Sequence, residues 1–142
     1  MSKIAVVYWS GTGNTEKMAH LVAQGAEEAS AEVSIISAED FRAEMMEQYD
    51  AIGFGCPSMG AEQLEESEFE PMFKSCEAKL PNRRIGLFGS YGWGDGEWMR
   101  SWEEICRNDG AALVSDSVIC NEAPDDEARA ACLALGKALA SA

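Results

Sequence analysis

The sequence predicts a doubly wound α/β domain over residues 1–142, with helices on both faces of a five-stranded parallel sheet. β-Branched runs alternate with helical patterns along the whole chain, as expected for a series of βα units. Three of these runs are apolar almost throughout, which is typical of parallel strands that are buried on both faces. The 142 residues are also sufficient to bury a core.

Short β-branched or apolar runs predict the first three strands over 3–9, 32–37 and 50–56. A helix is expected after the first strand, and its small or apolar residues share one face: Met18, Val22, Gly25 and Ala29. A shorter helical pattern after the second strand directs three side chains toward the core: Phe41, Met45 and Tyr49. The helix after the third strand has an apolar face at helical spacing: Phe69, Met72, Phe73 and Cys76.

The remaining two strands are predicted over 84–90 and 112–119. The helix between them aligns four apolar side chains: Trp98, Trp102, Ile105 and Cys106. The pair Asp109-Gly110 marks the end of this helix. The final helix is expected to begin near Asp125 and to bury four residues: Ala128, Cys132, Leu135 and Leu139.

The charge of the chain limits its partners. Asp and Glu number 25 against 11 Lys and Arg, which gives a formal net charge of −14. This field repels the phosphate backbone of nucleic acids and the surface of anionic membranes, so neither is expected as a partner. A strongly acidic protein is steered toward basic partners, or is acidic only for solubility.

The cellular location is predicted from two features. The sequence has no apolar stretch near the roughly 20 residues that span a bilayer, and MSKIAVVYWSG becomes polar too early for a signal peptide. We therefore expect a cytoplasmic protein. The five cysteines form an odd set without a CxxC pair, so we expect buried reduced thiols rather than a disulfide framework or a metal site.

In a doubly wound domain, ligands bind beyond the carboxyl ends of the strands, which directs attention to loops 10–15, 57–63 and 90–97. The first of these loops, SGTGNT, places two glycines and several hydroxyl or amide side chains before a helix. Free N–H groups and the positive end of the helix dipole make such a turn suitable for a phosphate. It lacks the Gly-Lys-Ser/Thr of a Walker loop and the third glycine of the dinucleotide fingerprint.

The other two loops are predicted to enclose a flat ligand. Trp93 lies among three glycines in YGWGDG, which favours an uncovered ring that stacks on an aromatic ligand. Met59 offers an adaptable side chain for the opposite face of the ligand. The peptide at Gly60 is free to turn at low cost, and Glu62 offers a carboxylate to an N–H on the rim of the ligand.

Four motifs now coincide with those of a known family. SGTGNT follows the first strand, GCPSMGAE the third, GSYGWGDGEW the fourth and CNEAPD the fifth. The chain therefore resembles the flavodoxins, and more narrowly the short-chain flavodoxins of anaerobic bacteria, because the fifth strand continues without a long insertion. The resemblance implies the strand order 2-1-3-4-5, one noncovalently bound FMN and the transfer of single electrons.

The resemblance also implies a role for each site residue. The FMN phosphate would be bound by Ser10, Gly11, Thr12, Gly13, Asn14 and Thr15. Trp93 and Met59 would cover the two faces of the ring. The Met59–Gly60 peptide would turn on reduction, and Ala61 follows this peptide in the same loop. The Glu62 carboxylate would accept from the N–H of the pyrimidine ring. The edge of the ring would contact the backbone of Ser90, Tyr91, Gly92, Trp93 and Gly94. The ribityl chain would contact Ser58, Ser90 and Asn121.

These roles predict a low-potential one-electron carrier that works through a neutral FMN semiquinone. We expect a monomer that exchanges electrons with basic-surfaced reductases and low-potential oxidoreductases, and we assign no catalytic residue. The alternative is an FMN-dependent quinone or NAD(P)H reductase of the same fold, which usually requires insertions or a dimer partner. A phosphorelay receiver is set aside, because it requires a phosphoacceptor Asp where this chain has Cys56-Pro57. A ligand-free structural domain would leave the Trp93 and Met59 loops unexplained.

Overall fold

The computed structural model describes residues 2–141. Their strands all pair in parallel and form one sheet in the order β2-β1-β3-β4-β5, with β6 also paired to β4. This order confirms the prediction. The strands are β1 (Lys3–Tyr8), β2 (Glu32–Ser37), β3 (Ala51–Gly55), β4 (Arg84–Tyr91), β5 (Ala112–Leu113) and β6 (Val118–Asn121).

The predicted fifth strand over 112–119 was wrong as one continuous element. β5 pairs with the start of β4, and β6 pairs with its last four residues, so both occupy the same edge of the sheet. The chain leaves the sheet between them at Ser115-Asp116-Ser117, a polar sequence of low β-propensity. The hydroxyl of Ser117 donates to the Glu103 carboxylate at 2.6 Å instead. β6 then extends two residues beyond the predicted end.

The described residues form four α-helices. Three of them connect strands, α1 (Asn14–Glu28), α2 (Phe69–Cys76) and α3 (Glu97–Asn108), and the fourth, α4 (Asp126–Ala140), follows β6. The helical pattern predicted around Phe41 and Tyr49 is not an α-helix. It forms two short 3₁₀ segments, at Ala38–Asp40 and Ala43–Gln48. A 3₁₀-helix has three residues per turn, so Met46 is buried there while Met45 is only partly covered.

The core lies on both faces of the sheet. On one face, α2 and α3 bury aromatic side chains, with Phe73 packed edge-to-face on Phe54 and Trp102. On the other face, α1 and α4 bury Met18 and Leu135 together with Phe88 and mostly aliphatic side chains. The predicted inner faces of α2 and α4 are confirmed in full.

Two predicted core positions were wrong. Ala29 follows the last residue of α1 and is exposed. Ile105 on α3 is 40% exposed, and Met99 is buried on that helix instead. The two errors differ in kind. Ala29 lies one residue beyond the end of α1, whereas Ile105 lies within α3 at the margin of its buried face, next to the buried Cys106.

Candidate functional site

The three loops predicted to form the site meet at the carboxyl ends of β1, β3 and β4. The chain leaves β1 toward β2 on one side and reaches β3 on the other, so this is where the winding of the sheet reverses. A cavity of about 200 Å³ opens there. It is lined by Trp9, Gly11, Thr12, Asn14, Pro57, Ser58, Met59, Ser90, Tyr91, Gly92 and Glu122.

The first loop has the geometry of an anion site. Gly13 has φ +99°, a left-handed conformation that suits glycine, and it directly precedes α1. The Ser10 hydroxyl oxygen accepts hydrogen bonds from the N–H groups of Gly13 (3.1 Å) and Glu16 (3.2 Å), which closes the turn. The N–H groups of Thr12 and Asn14 have no acceptor within residues 2–141. With the helix dipole, they favour a bound anion.

Thr15 is predicted to bind phosphate but is 1% exposed, and its hydroxyl oxygen lies 3.0 Å from that of Ser90. The Ser90 carbonyl in turn accepts from the Ser58 N–H at 3.0 Å. Thr15 and Ser90 therefore join all three loops. Ser90 also lines the cavity, whereas the Thr15 hydroxyl makes an internal contact with the Ser90 hydroxyl.

The second loop is a tight turn between Met59 and Gln63. Each of these residues donates its N–H to the carbonyl of the other, at 2.8 and 2.9 Å. Gly60 and Glu62 both have φ +53°, and Ala61 is exposed between them. The Glu62 carboxylate reaches the first residue of α3, where it accepts from the Glu97 N–H at 3.2 Å. Glu62 therefore ties this loop to the third one.

The third loop presents Trp93 to solvent. Its ring is 65% exposed, and Met59 is also exposed, at 37%. The Tyr91 ring turns away and packs on Trp98 with ring centroids 5.6 Å apart, so Tyr91 contributes mainly backbone to the site. Gly94 has φ +90° and lies against the Glu62 carboxylate, where a side chain would overlap it.

One predicted residue faces elsewhere. The Asn121 side-chain amide donates to the Tyr91 carbonyl at 3.3 Å, and Asn121 lines a separate cavity between β6 and α4 rather than the site cavity. The residue next to it, Glu122, lines the site cavity instead. Glu122 has φ +59°, and its N–H donates to the Tyr91 carbonyl at 2.8 Å. An unusual backbone angle at a glutamate leaves no signal in the sequence.

Two further lining residues, Trp9 and Pro57, were not predicted as ligands. Trp9 directly precedes the first loop in the sequence. In the structure its ring lies against Gly11, and its indole N–H donates to the Glu68 carboxylate at 2.8 Å. Trp9 therefore forms a wall of the cavity, and its position next to SGTGNT was the available signal.

The cysteine beside the site, Cys56, is fully buried. Burial raises the pKa of the Cys56 thiol to about 12, and its sulfur accepts from the Glu65 N–H at 3.4 Å. All five cysteines are buried and unpaired, as predicted. Within residues 2–141, no three His, Cys, Asp or Glu side chains come together as metal ligands. No helix in this part of the chain is long and apolar enough to cross a bilayer.

Together these features define a class of protein. An open parallel sheet carries an anion-binding turn at its switch point, and an exposed tryptophan and methionine stand on two neighbouring loops. Such a site suits a ligand with a phosphate at one end and a flat ring at the other. The class is that of doubly wound α/β proteins that bind a planar phosphate ligand at the switch point of the sheet.

Comparisons with known proteins identify the family. The family model of the flavodoxins matches residues 6–136. A flavodoxin from Clostridium beijerinckii is 45% identical over 96% of this chain and 98% of its own length. One from Megasphaera elsdenii is 42% identical over 98% and 99%. The solution structure of two-electron reduced Megasphaera elsdenii flavodoxin superimposes with a TM-score of 0.90, at 43% identity over 98% of this chain and 99% of that one. The chain belongs to the flavodoxin family, whose members are electron-transfer proteins.

The residues present fit FMN, the cofactor of this family. The unpartnered N–H groups of the first loop would hold the phosphate, and nothing lies within 4 Å of the position a Gly13 side chain would take, so the front of the turn is open. Trp93 and Met59 would hold the ring. FMN supplies one-electron redox chemistry, and the protein supplies its position and electrostatic surroundings.

Proposed function

We propose that this flavodoxin is a low-potential one-electron carrier that cycles through the neutral FMN semiquinone between soluble redox proteins. The exposure of Trp93 is the observation that carries this proposal. A ring stacked on a side chain that is 65% exposed lies at the surface, where another protein can exchange electrons with it. The cavity of about 200 Å³ would hold the inner part of the cofactor.

The carboxylates at the rim support a low potential. Glu62 and Glu122 border the site, and Asp95 follows it in the third loop. Asp95 is held by Arg100 at 3.0 Å, so that part of its charge is compensated. Fixed negative charges raise the energy of any further negative charge in the site. They therefore disfavour complete reduction and separate the two one-electron steps.

The Met59–Gly60 peptide is the element that we propose turns on reduction and offers its carbonyl to the cofactor. In the structure this carbonyl accepts from the Gln63 N–H at 2.9 Å. Turning the peptide exchanges that hydrogen bond for one to the cofactor. Hydrogen exchange at the Gln63 amide should therefore be faster in the reduced protein than in the oxidised protein. Equal exchange in both states would show that this peptide does not turn.

The partners and the compartment are also proposals. The net charge of −14 supports partners with basic surfaces around their own redox centres. Five unpaired buried cysteines support a reducing compartment, the cytoplasm. The electron-carrier proposal itself needs only bound FMN and a partner that takes one electron at a time.

An absorption spectrum recorded through stepwise anaerobic reduction tests the proposal. A yellow flavin spectrum that passes through a long-wavelength blue species would support both FMN binding and the one-electron role. Direct reduction to the two-electron state, with turnover of NADH and a quinone, would favour the reductase alternative. A protein that takes up no added FMN would refute both.

A further inference from the structure

A second cavity, of about 640 Å³, lies at the edge of the sheet and takes no part in the site described above. Its walls are β6, the 115–117 segment before it and one face of α4. Val118, Cys120, Ala128 and Leu135 give it an apolar floor. Tyr91 lines both this cavity and the site cavity, so the two adjoin.

Within the described residues, the β6 backbone has a neighbouring strand on one side. Within residues 2–141, β6 pairs only with β4. The N–H group of Glu122 donates to the Tyr91 carbonyl of β4. In a parallel strand, the backbone N–H and C=O groups of every second residue point to the same neighbouring strand, so those of Cys120 also point to β4. Ile119 and Asn121 therefore point their N–H and C=O groups away from the sheet. The Ile119 side chain is 38% exposed beside them.

The acidic side chains around the β6 edge indicate which kind of polypeptide segment could bind there. Asp116, Asp125 and Glu127 line the cavity. A net charge of −14 makes a second copy of the protein an unfavourable occupant. Acidic flanks are a common protection of edge strands against self-association, but they attract a cationic chain. An extended segment fits both features, because an added strand satisfies edge N–H and C=O groups.

We propose that the β6 edge docks an extended, lysine- or arginine-rich segment of a partner protein as an added strand. Its backbone pairs with Ile119 and Asn121, and its basic side chains meet Asp116 and Glu127. The inference deepens the proposed function, since the segment would belong to a redox partner. Strand addition at β6 places that partner next to Tyr91 and the adjoining cofactor site.

The test uses the FMN-loaded, ¹⁵N-labelled full chain and a ten-residue peptide of alternating Lys and Val. Binding is expected to slow amide exchange of Ile119 and Asn121 about tenfold or more, because those N–H groups gain acceptors. A peptide of the same sequence with every backbone nitrogen methylated keeps the charge but has neither edge free to pair as a strand. It should bind more weakly and leave both amides fast.

A charge variant provides a second readout. D116N/E127Q is expected to weaken peptide binding about fivefold or more at low salt. The matched variant E27Q/E44Q removes two exposed carboxylates elsewhere and should bind as the parent does. Both pairs leave Asp125 in place, because its side chain accepts from the Ala128 N–H at the start of α4.

Three results would overturn the inference. Equal binding of the N-methylated peptide would show attraction by charge alone. Protection at β2 instead of β6 would place the added strand at the other edge. Protection of Ile119 and Asn121 without peptide, growing with protein concentration, would identify a second copy as the occupant. The flavin absorbance of the same sample reports FMN binding separately, so failure of the docking and failure of the proposed function are distinguishable.

Discussion

Trp93 and Trp98 lie five residues apart and have opposite surroundings. Trp98 is 1% exposed and donates its indole N–H to the Cys56 carbonyl at 3.2 Å, whereas Trp93 is 65% exposed. The sequence separated the two, because Trp93 lies among glycines while Trp98 shares a helix face with Trp102. It could not assign Glu122, whose place in the cavity depends on a left-handed backbone angle.

The Trp93→Ala variant should lose cofactor affinity without losing stability. Removing a stacking face is expected to weaken FMN binding by about 1–3 kcal/mol, or roughly fivefold to 150-fold. The free energy of unfolding of the cofactor-free protein should change by less than about 0.5 kcal/mol, because the ring is exposed. Flavin titration and urea unfolding measure the two quantities.

Trp98→Ala is the matched control. It should cost about 3–5 kcal/mol of unfolding free energy, because it empties a buried site and leaves the Cys56 carbonyl without its donor. If Trp93→Ala bound FMN as tightly as the parent chain, Trp93 would not be the stacking platform.

At the scale of elements, one carboxylate organises the approach to α2. Glu65 accepts from the N–H groups of Ser67 (2.8 Å), Glu68 (2.7 Å) and Phe69 (2.9 Å), which fixes the turn before the helix. Burial raises the pKa of Glu65, but these hydrogen bonds and that of the Ser67 hydroxyl outweigh it, so the net pKa is lowered. The sequence offered only a run of acids here, and every member of it resembled a solvated residue.

The Glu65→Gln variant should therefore be less stable at neutral pH. A carboxylate whose pKa is lowered by folding stabilises the protein above its unfolded pKa, and this stability is lost as the pH falls through the folded value. We expect a deficit of about 1–3 kcal/mol at pH 7 that shrinks below about pH 4. Urea unfolding at a series of pH values measures it. Glu66→Gln, at an exposed neighbour, should match the parent; a pH-independent deficit would contradict the mechanism.

Helices α1 and α4 approach each other closely through glycines. Gly136 lies against the Val22 carbonyl and Gly25 against the Leu133 carbonyl, so a side chain at either position would overlap backbone. Helical periodicity predicted both inner faces, with Gly25 on one of them. It did not predict that the helices would contact each other, because periodicity records which face is buried and not what covers it.

The Gly136→Ala variant should be destabilised although alanine is the better helix former. The added methyl group forces the two helices apart, which we expect to cost about 1–3 kcal/mol, more than the gain of about 1 kcal/mol in helix propensity. Thermal or urea unfolding measures the difference. Lys137→Ala, at the next and exposed position, should stay within about 0.5 kcal/mol of the parent. A more stable Gly136→Ala protein would show that the helices can separate freely.

For the whole molecule, the charge of −14 governs encounter rather than folding. The reduced protein should transfer electrons to a basic redox protein, such as a cytochrome c, about tenfold more slowly in 0.5 M salt than in 0.01 M salt. The screening length falls from about 30 Å to a few Å over this range. Stopped-flow kinetics measures the rates. Transfer to an uncharged quinone is the control, and an equal salt response for both acceptors would assign the acidity to solubility alone.

The sequence by itself determined the fold class and the identity of the site loops, which follow from local signals: apolar runs, helical periodicity and glycines placed at strand ends. The strand order and the cofactor were implied by its resemblance to the flavodoxins. Only the tertiary structure decided that the fifth strand divides at Ser115, that Asn121 faces a second cavity while Glu122 faces the site, and that Glu62 is held by α3. Each of these depends on which residues distant in the chain become neighbours, and a local pattern does not record that.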